Sequence, residues 1–178
     1  MEPSRKDAGI VDNQHVFAPN KLGDVAEPLM EVILLVQDFL QQSAERLPNK
    51  VALICNNKRL TYAEIETRAN RLANSMIDHG VKRGDRVVIY MNNSVEVVVS
   101  IFAILKAGGV FVVVNPPQKS EKLAYILNNS SATALVADLC NFSQVSEVLE
   151  NAGTLNFSIL SDSNNSKVTI DSSSIYGQ

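Results

Sequence analysis

Few of the acidic and imidazole side chains in this sequence stand at a spacing that a known reaction needs. Glu64 and Glu66 offer two carboxylates for acid–base chemistry, but residues two apart on a helix face different ways. We therefore expect Glu64 to cap a helix. His79 precedes Gly80 at a predicted helix end, where the helix dipole stabilises an imidazolium. With His15 as the only other histidine, a histidine-centred site is not expected.

The cysteines and glycines point to no catalytic motif either. Cys55 and Cys140 are too few for a disulfide framework and have no metal-ligand spacing, which favours two reduced thiols in a cytosolic protein. The sequence has no G-x-G-x-x-G turn, no Walker lysine loop, no G-x-S-x-G elbow and no H-E-x-x-H pair. It therefore predicts no catalytic, cofactor-binding or metal-binding residue.

The central stretch of the chain, residues 105–116, has a clear structural pattern. An apolar run ends at Lys106, and either Gly108 or Gly109 is expected to close a helix in the left-handed conformation. The apolar run 110–114 then predicts a strand covered on both faces, as in a parallel sheet flanked by helices. For the two glycines, a packing role is favoured over catalysis.

Two pairs of residues have the spacing of a capping box, in which a short side chain and an acidic residue three positions later satisfy each other's backbone N–H groups. Thr61 and Glu64 form the first pair and predict a helix start. Asn93 and Glu96 form the second, before an apolar segment that we predict to be a buried helix despite its many β-branched residues.

The predicted elements alternate between helices and strands. Predicted helices span 29–46, 62–79, 95–105, 119–129 and 142–149, and predicted strands span 51–55, 59–60, 86–91, 110–114, 133–137 and 157–160. The first helix is expected to pack its apolar face on the core rather than on a membrane surface. This order predicts an α/β fold with a mostly parallel sheet flanked by helices. Residues 1–27 are expected to be a flexible lead-in, 28–160 the folded part, and 161–178 a Ser/Asn-rich loop or frayed end.

Composition excludes several partners. The 178 residues are 46% hydrophobic and 20% charged, with a formal net charge of -3 and no basic stripe. Nucleic acid and anionic membranes are therefore poor candidate partners. No apolar run reaches the roughly 18 residues of a transmembrane helix, and the first residues contain no apolar signal core, so a cytoplasmic location is expected.

Five segments together resemble the N-terminal part of the AMP-forming acyl-CoA synthetases and nonribosomal-peptide adenylation domains. These segments are LTYAEI (60–65), RANRLA (68–73), GVKRGDRVVIYMNNS (80–94), LKAGGVFVVVNP (105–116) and EKLAYILNNSSATALVAD (121–138). The resemblance covers 39–138 in the family's order and spacing. It implies that 28–160 is a partial, incomplete N-terminal subdomain of an adenylate-forming enzyme, closer to freestanding acyl ligases than to peptide-synthetase modules.

The resemblance also implies a reaction. The family condenses a carboxylate with ATP to an acyl-adenylate and passes the acyl group to coenzyme A or a carrier-protein pantetheine. Its phosphate loop, adenine segment, ribose-binding Asp and lid lysine do not occur here, and Lys106 and Lys119 stand in the wrong contexts to replace either lysine. We therefore expect this chain to bind no ATP, magnesium or coenzyme A by itself, and we transfer no catalytic residue.

Two hypotheses of different class follow. In the first, the chain is the N-terminal piece of an acyl ligase, not catalytically competent alone, whose partner is the remaining ligase chain or a complementary fragment. In the second, it is a stand-alone, non-catalytic α/β module that binds a partner. If the chain is such a fragment and is expressed alone, an exposed apolar surface and some tendency to self-associate are expected.

Overall fold

The computed structural model describes residues 34–116, 120–149, 155–162 and 167–171. The predicted lead-in of 1–27 and the first five residues of the predicted helix 29–46 lie outside this range, as does Lys119. No helix in the described residues is long and apolar enough to cross a membrane.

The described chain contains five α-helices, one short 3-10 helix at Leu139–Asn141 and seven strands, and the sequence pattern predicts the five α-helices and the first six strands. The helices are α1 Val36–Arg46, α2 Tyr62–Asp78, α3 Val95–Lys106, α4 Ser120–Ser130 and α5 Phe142–Leu149. The strands are β1 Val51–Cys55, β2 Lys58–Thr61, β3 Arg86–Tyr90, β4 Val110–Val114, β5 Ala134–Asp138, β6 Phe157–Asp162 and β7 Lys167–Asp171.

The main sheet has the strand order β4-β3-β5-β6-β7. Strands β4, β3, β5 and β6 are parallel to their neighbours, and β7 pairs antiparallel with β6. The predicted α/β class with a mostly parallel sheet is confirmed. The predicted loop 161–178 is wrong where Lys167–Asp171 form β7, because the short apolar segment inside this polar stretch is enough to add an edge strand.

Strand β4 differs from its predicted environment. Among the described strands it lies at the edge of the sheet and pairs with β3 alone, and most of its side chains are not buried. Val110, Phe111 and Val113 are 48%, 38% and 51% exposed, whereas Val114 is buried. A run of apolar residues is compatible with a central strand or with an edge strand. The sequence pattern therefore does not predict how exposed the side chains of β4 are.

The two faces of the sheet carry separate cores. Neighbouring residues of β3 point to opposite faces: Val87 and Ile89 join the core under α2 and α3, and Val88 and Tyr90 join the core under α4 and α5. A third, smaller core joins α1, the β1–β2 hairpin, α2 and α3. The sheet is therefore the middle layer between two helical layers.

Helix α1 contributes less to the core than its apolar pattern predicts. Only Leu40 is buried among the residues of α1, while Val36 and Phe39 are 61% and 58% exposed. The expectation that the whole apolar face packs on the core is therefore wrong for the described part of this helix.

The structure confirms both predicted helix starts, at residues 62 and 95, but only one of the two predicted capping boxes. The Thr61–Glu64 capping box is confirmed, because the Thr61 N–H donates to the Glu64 carboxylate at 2.8 Å and the Glu64 N–H donates to Thr61 Oγ1 at 3.3 Å. The Asn93–Glu96 box is wrong. Ser94 caps α3 instead, accepting from the Val97 N–H at 3.3 Å, and this shift by one residue leaves Glu96 able to pair elsewhere.

Arg86 connects β3 to the end of α4. Its Nε donates to the Ser130 carbonyl at 2.7 Å and its NH2 group donates to the Ser131 carbonyl at 2.8 Å. Ser131 has a positive φ of 48°, which turns the chain out of α4. Carbonyls at a helix C-terminus have no partner inside the helix, so the guanidinium satisfies groups that would otherwise be orphaned.

Candidate functional site

The predicted turn at the two central glycines is structural. Gly108 has a φ of +78° and takes the left-handed conformation. A Cβ on Gly109 would lie 3.0 Å from Ile104 Cγ2 and 3.2 Å from the Asp85 carbonyl oxygen, so any side chain there would need these neighbours to move. The turn also receives a hydrogen bond from Gly84 N–H to the Gly108 carbonyl at 2.8 Å. These contacts serve to join α3 to β4.

The structure separates the two carboxylates that were considered as an acid–base pair. Glu64 caps α2, and its hydrogen bond from the Thr61 N–H is the largest factor that lowers its pKa, with the charge of Arg68 acting in the same direction. Glu66 instead forms an ion pair with Lys106, 2.8 Å from Oε1 to Nζ. Lys106 is therefore engaged in a link between α2 and α3.

His79 lies at the C-cap of α2, as predicted. Its Nδ1 is 2.7 Å from the Ser75 carbonyl oxygen, and its ring packs on Phe157 with centroids 5.4 Å apart. His15 lies outside the described range. No group of three or more metal-ligating side chains occurs in the part of the chain that the structure describes.

The two cysteines and one buried tyrosine complete the titratable groups of interest. Cys55 and Cys140 are both free thiols. Burial raises the pKa of the Cys140 thiol, and the charge of nearby Asp138 raises it further, which disfavours the reactive thiolate. Burial also raises the pKa of Tyr90, whose hydroxyl donates to the Pro116 carbonyl at 2.8 Å. Tyr90 thus ties β3 to the turn after β4.

A groove between α2 and α3, with β5 and β6 as its floor, forms a cavity of ligand size in the described residues. Its volume is about 490 Å³, within the range of roughly 300–1,000 Å³ that small-molecule sites occupy. We call it the α2–α3 groove. It is lined by Arg68, Arg71, Leu72, Ser75, Val95, Glu96, Val99, Ser100, Val136, Ile159 and Ser161.

The α2–α3 groove combines an apolar floor with a small number of polar groups. Ser100 and Ser161 are only 2% and 4% exposed, and neither hydroxyl makes a side-chain hydrogen bond within the described residues. Glu96 is paired with Lys58 at 2.9 Å, which offsets its negative charge. Arg68 and Arg71 therefore dominate the electrostatics of this groove.

The sequence reasoning did not identify the α2–α3 groove. Arg68 and Arg71 lie within the RANRLA segment, and their spacing of three places them on one face of α2. That spacing was the available signal. Ser100 from α3 and Ser161 from β6 line the same groove. The sequence pattern does not show this, because it depends on how elements that are distant in the chain pack together.

Comparison with known proteins identifies the family. The sequence profile described as "AMP-binding enzyme" matches residues 40–175. A medium/long-chain-fatty-acid–CoA/3-oxocholest-4-en-26-oate–CoA ligase of Mycobacterium marinum is 39% identical over 120 residues, which are 67% of this chain and 22% of that protein. Malpinin synthetase of Mortierella alpina is 44% identical over 115 residues, which are 65% of this chain and 2% of that protein.

The fold comparison agrees. A putative long-chain-fatty-acid CoA ligase from Rhodopseudomonas palustris superposes with a TM-score of 0.68 at 26% identity, covering 72% of this chain and 33% of that chain. The chain thus spans about a fifth of the mycobacterial ligase and a third of the solved one. Acyl-CoA ligases and a solved nonribosomal peptide synthetase, FmoA3, both match, so the expected preference for freestanding ligases stays a prediction. The chain belongs to the AMP-binding enzyme family of acyl-CoA ligases and nonribosomal-peptide adenylation domains, and it carries an N-terminal part of that fold.

Proposed function

We propose that this chain is the N-terminal part of an AMP-forming acid–thiol ligase. Such an enzyme joins a carboxylate to ATP as an acyl-adenylate, releases pyrophosphate, and passes the acyl group to the thiol of coenzyme A or of a carrier protein. The observation that carries the proposal is the continuous match of the sheet and its helices to a fatty-acid CoA ligase, at a TM-score of 0.68. A cytoplasmic location is part of the same proposal.

The role of this chain within the enzyme is to build one sheet with its two helical layers. The positive φ angles of Gly80, Gly84 and Gly108 close helices or turns, and none of these glycines belongs to a phosphate-binding loop. The residues present therefore do not fit ATP or its magnesium ion, and we derive no chemical step through them. The acyl substrate is proposed to be a medium- or long-chain fatty acid, the class named for the mycobacterial relative.

A chimera tests this proposal. The matching 120 residues of the mycobacterial ligase are replaced by those of the present chain, and acyl-CoA formation is measured with fatty acids of different length. The chimera is expected to be active because the replaced stretch builds the fold and supplies no reacting group. The control is the same chimera with Gly108→Val, which strains the left-handed turn and is expected to lower the yield of folded enzyme. A folded chimera that forms no acyl-adenylate would contradict the proposal.

A second function is favoured by one specific observation. The open edge of β4, with Val110, Phe111 and Val113 exposed, is a surface on which a partner strand can add. On this reading the chain is a stand-alone, non-catalytic α/β module that binds a protein partner. An inactive chimera together with a stable complex formed through β4 would favour this second function over the first.

A further inference from the structure

We propose that the α2–α3 groove binds an organic anion that has a carboxylate or phosphate head and an apolar body of several carbon atoms. The proposal is independent of the ligase function, because residues of this chain alone carry it. It rests on the cationic rim of the groove, on two serine side chains that line it without another hydrogen-bond partner among the described residues, and on its apolar floor.

The cationic rim comes from α2. Arg68 and Arg71 are one turn apart on the same face of this helix, and both line the groove. Neither forms an ion pair within the described residues. The neighbouring Glu64 partly offsets the charge of Arg68, since that charge lowers the pKa of Glu64, which leaves Arg71 the less compensated of the two.

The opposite charges near the groove are already engaged. Glu96 is the only acidic residue that lines it, and its carboxylate lies 2.9 Å from the Lys58 ammonium. The Glu64 carboxylate accepts the backbone N–H of Thr61 in the helix cap. An incoming carboxylate or phosphate therefore meets two guanidinium groups, which bind such oxyanions through paired, charge-assisted hydrogen bonds.

The interior of the groove suits the rest of such a ligand. Ser100 and Ser161 line the groove as residues that are 2% and 4% exposed, and neither side chain makes a hydrogen bond among the described residues. Each hydroxyl can therefore bond to an oxygen of the ligand. Leu72, Val136 and Ile159 give the groove an apolar lining that matches a hydrocarbon body.

The position of the α2–α3 groove in the fold also favours ligand binding. Parallel α/β sheets bind ligands near the carboxyl ends of their strands. The first turn of α3, which follows the carboxyl end of β3, and Ser161 in the carboxyl half of β6 both line the α2–α3 groove.

The test is a titration of the isotopically labelled 178-residue chain followed by backbone amide NMR. The four probes are octanoate, octyl phosphate, octan-1-ol and inorganic phosphate. We expect saturable shifts at the amides of Ser100 and Ser161 with at least one of the two amphipathic anions. Octanol and inorganic phosphate are each expected to bind at least about tenfold more weakly, because each lacks half of the recognised chemistry. Tighter binding of octanoate or of octyl phosphate assigns the head group.

A matched pair of double variants tests whether Arg68 and Arg71 bind the head group of the anion. The double variant Arg68→Gln/Arg71→Gln is expected to weaken binding of the preferred anion by about tenfold or more, equivalent to about 1.4 kcal/mol. The control Arg46→Gln/Arg59→Gln removes the same charge from two exposed arginines that do not line the groove, and it is expected to leave the affinity within about twofold.

Several outcomes overturn the proposal. These are no saturable binding of either amphipathic anion, shifts confined to residues outside the groove, equal loss in both double variants, or octanol binding as tightly as the anions. The comparison of octanol with octanoate needs no variant, so it decides the question even if the arginine substitutions disturb the fold.

Discussion

The Lys106 ammonium at the end of α3 lies 2.8 Å from Oε1 of Glu66 in α2. Their side chains are only 12% and 15% exposed, and Asn70 also donates to the same oxygen at 3.0 Å. The second oxygen, Oε2 of Glu66, is buried without a hydrogen-bond partner in the described residues. This ion pair links two helices of one layer, and it leaves Glu66 dependent on Lys106.

Removing Lys106 is therefore expected to be costly. Lys106→Met leaves the Glu66 carboxylate buried without its cation and should lower the free energy of unfolding by about 3 kcal/mol. Adding Glu66→Gln to this variant should restore much of the loss, because the uncompensated charge is then removed. Urea denaturation of both variants measures the difference. A double variant no more stable than Lys106→Met would show that the charge is not the cause.

The left-handed turn at Gly108 gives a second prediction. Gly108→Val should destabilise the protein by about 1–3 kcal/mol, because a β-branched residue resists a φ of +78°. Gly108→Asn should cost less, since asparagine tolerates this conformation. Thermal unfolding followed by circular dichroism compares the two. Equal losses would mean that contact with Arg83, whose Cα lies 3.5 Å from the position of an added Cβ, outweighs the backbone strain.

The helix cap of α2 predicts a pH effect. The Thr61 N–H lowers the pKa of Glu64 from its ordinary value of 4.5 in the folded state. A lowered folded-state pKa means that the contribution of Glu64 is complete above its ordinary pKa and is lost as the pH falls through the folded-state pKa. We expect Glu64→Gln to lose less stability than the parent chain on acidification below about pH 4.5. Identical acid profiles would contradict this assignment.

The Thr61 hydroxyl is expected to stabilise the cap of α2 independently of the Glu64 carboxylate. Thr61→Ala removes the hydroxyl that accepts the Glu64 N–H and should lower the free energy of unfolding by about 1 kcal/mol. Thr61→Ser retains the hydroxyl and serves as the control, with an expected loss well below that of alanine. Denaturant titrations at neutral pH measure both, and a serine variant as unstable as the alanine variant would argue against the cap.

The exposed edge of the sheet predicts self-association. Val113→Lys places a charge on β4, at a residue that is 51% exposed, and should shift the chain toward monomer and reduce binding of an apolar dye. Ile77→Lys adds the same charge at a residue of α2 that is 49% exposed, and it should not change association. Size-exclusion chromatography with light scattering tests both. A sharp monomer peak and no dye binding for the parent chain would contradict the prediction.

Local signals predicted much of this fold. Asn56 lies between the predicted strands 51–55 and 59–60 and has a φ of 52°, a conformation that asparagine tolerates in tight turns. The Thr61–Glu64 box predicts the start of α2, and the exit through Lys106 and Gly108 identifies α3 as a helix although its residues favour a strand. In each case the decisive interaction lies within a few residues of sequence, so a single sequence contains it.

The predictions that are wrong depend on distant contacts. The apolar run of β4 is compatible with a centre or an edge position, and only the order β4-β3-β5 decides between them. Ser94, and not the predicted Asn93, caps α3. Glu96 does not join the cap and pairs instead with Lys58, which lies 38 residues away in the sequence. The α2–α3 groove joins residues from two helices and two strands, so the spacing of Arg68 and Arg71 on α2 was the local signal for it and the rest depends on distant packing.

The central claim is that this chain supplies the fold of an acyl ligase without its nucleotide chemistry. Calorimetric titration of the purified 178-residue chain with ATP in the presence of magnesium tests it most directly. We predict no heat of binding beyond that of dilution, because the sequence has no phosphate loop. Micromolar binding, on the order of -8 kcal/mol, would contradict the claim and would place a nucleotide site within these residues.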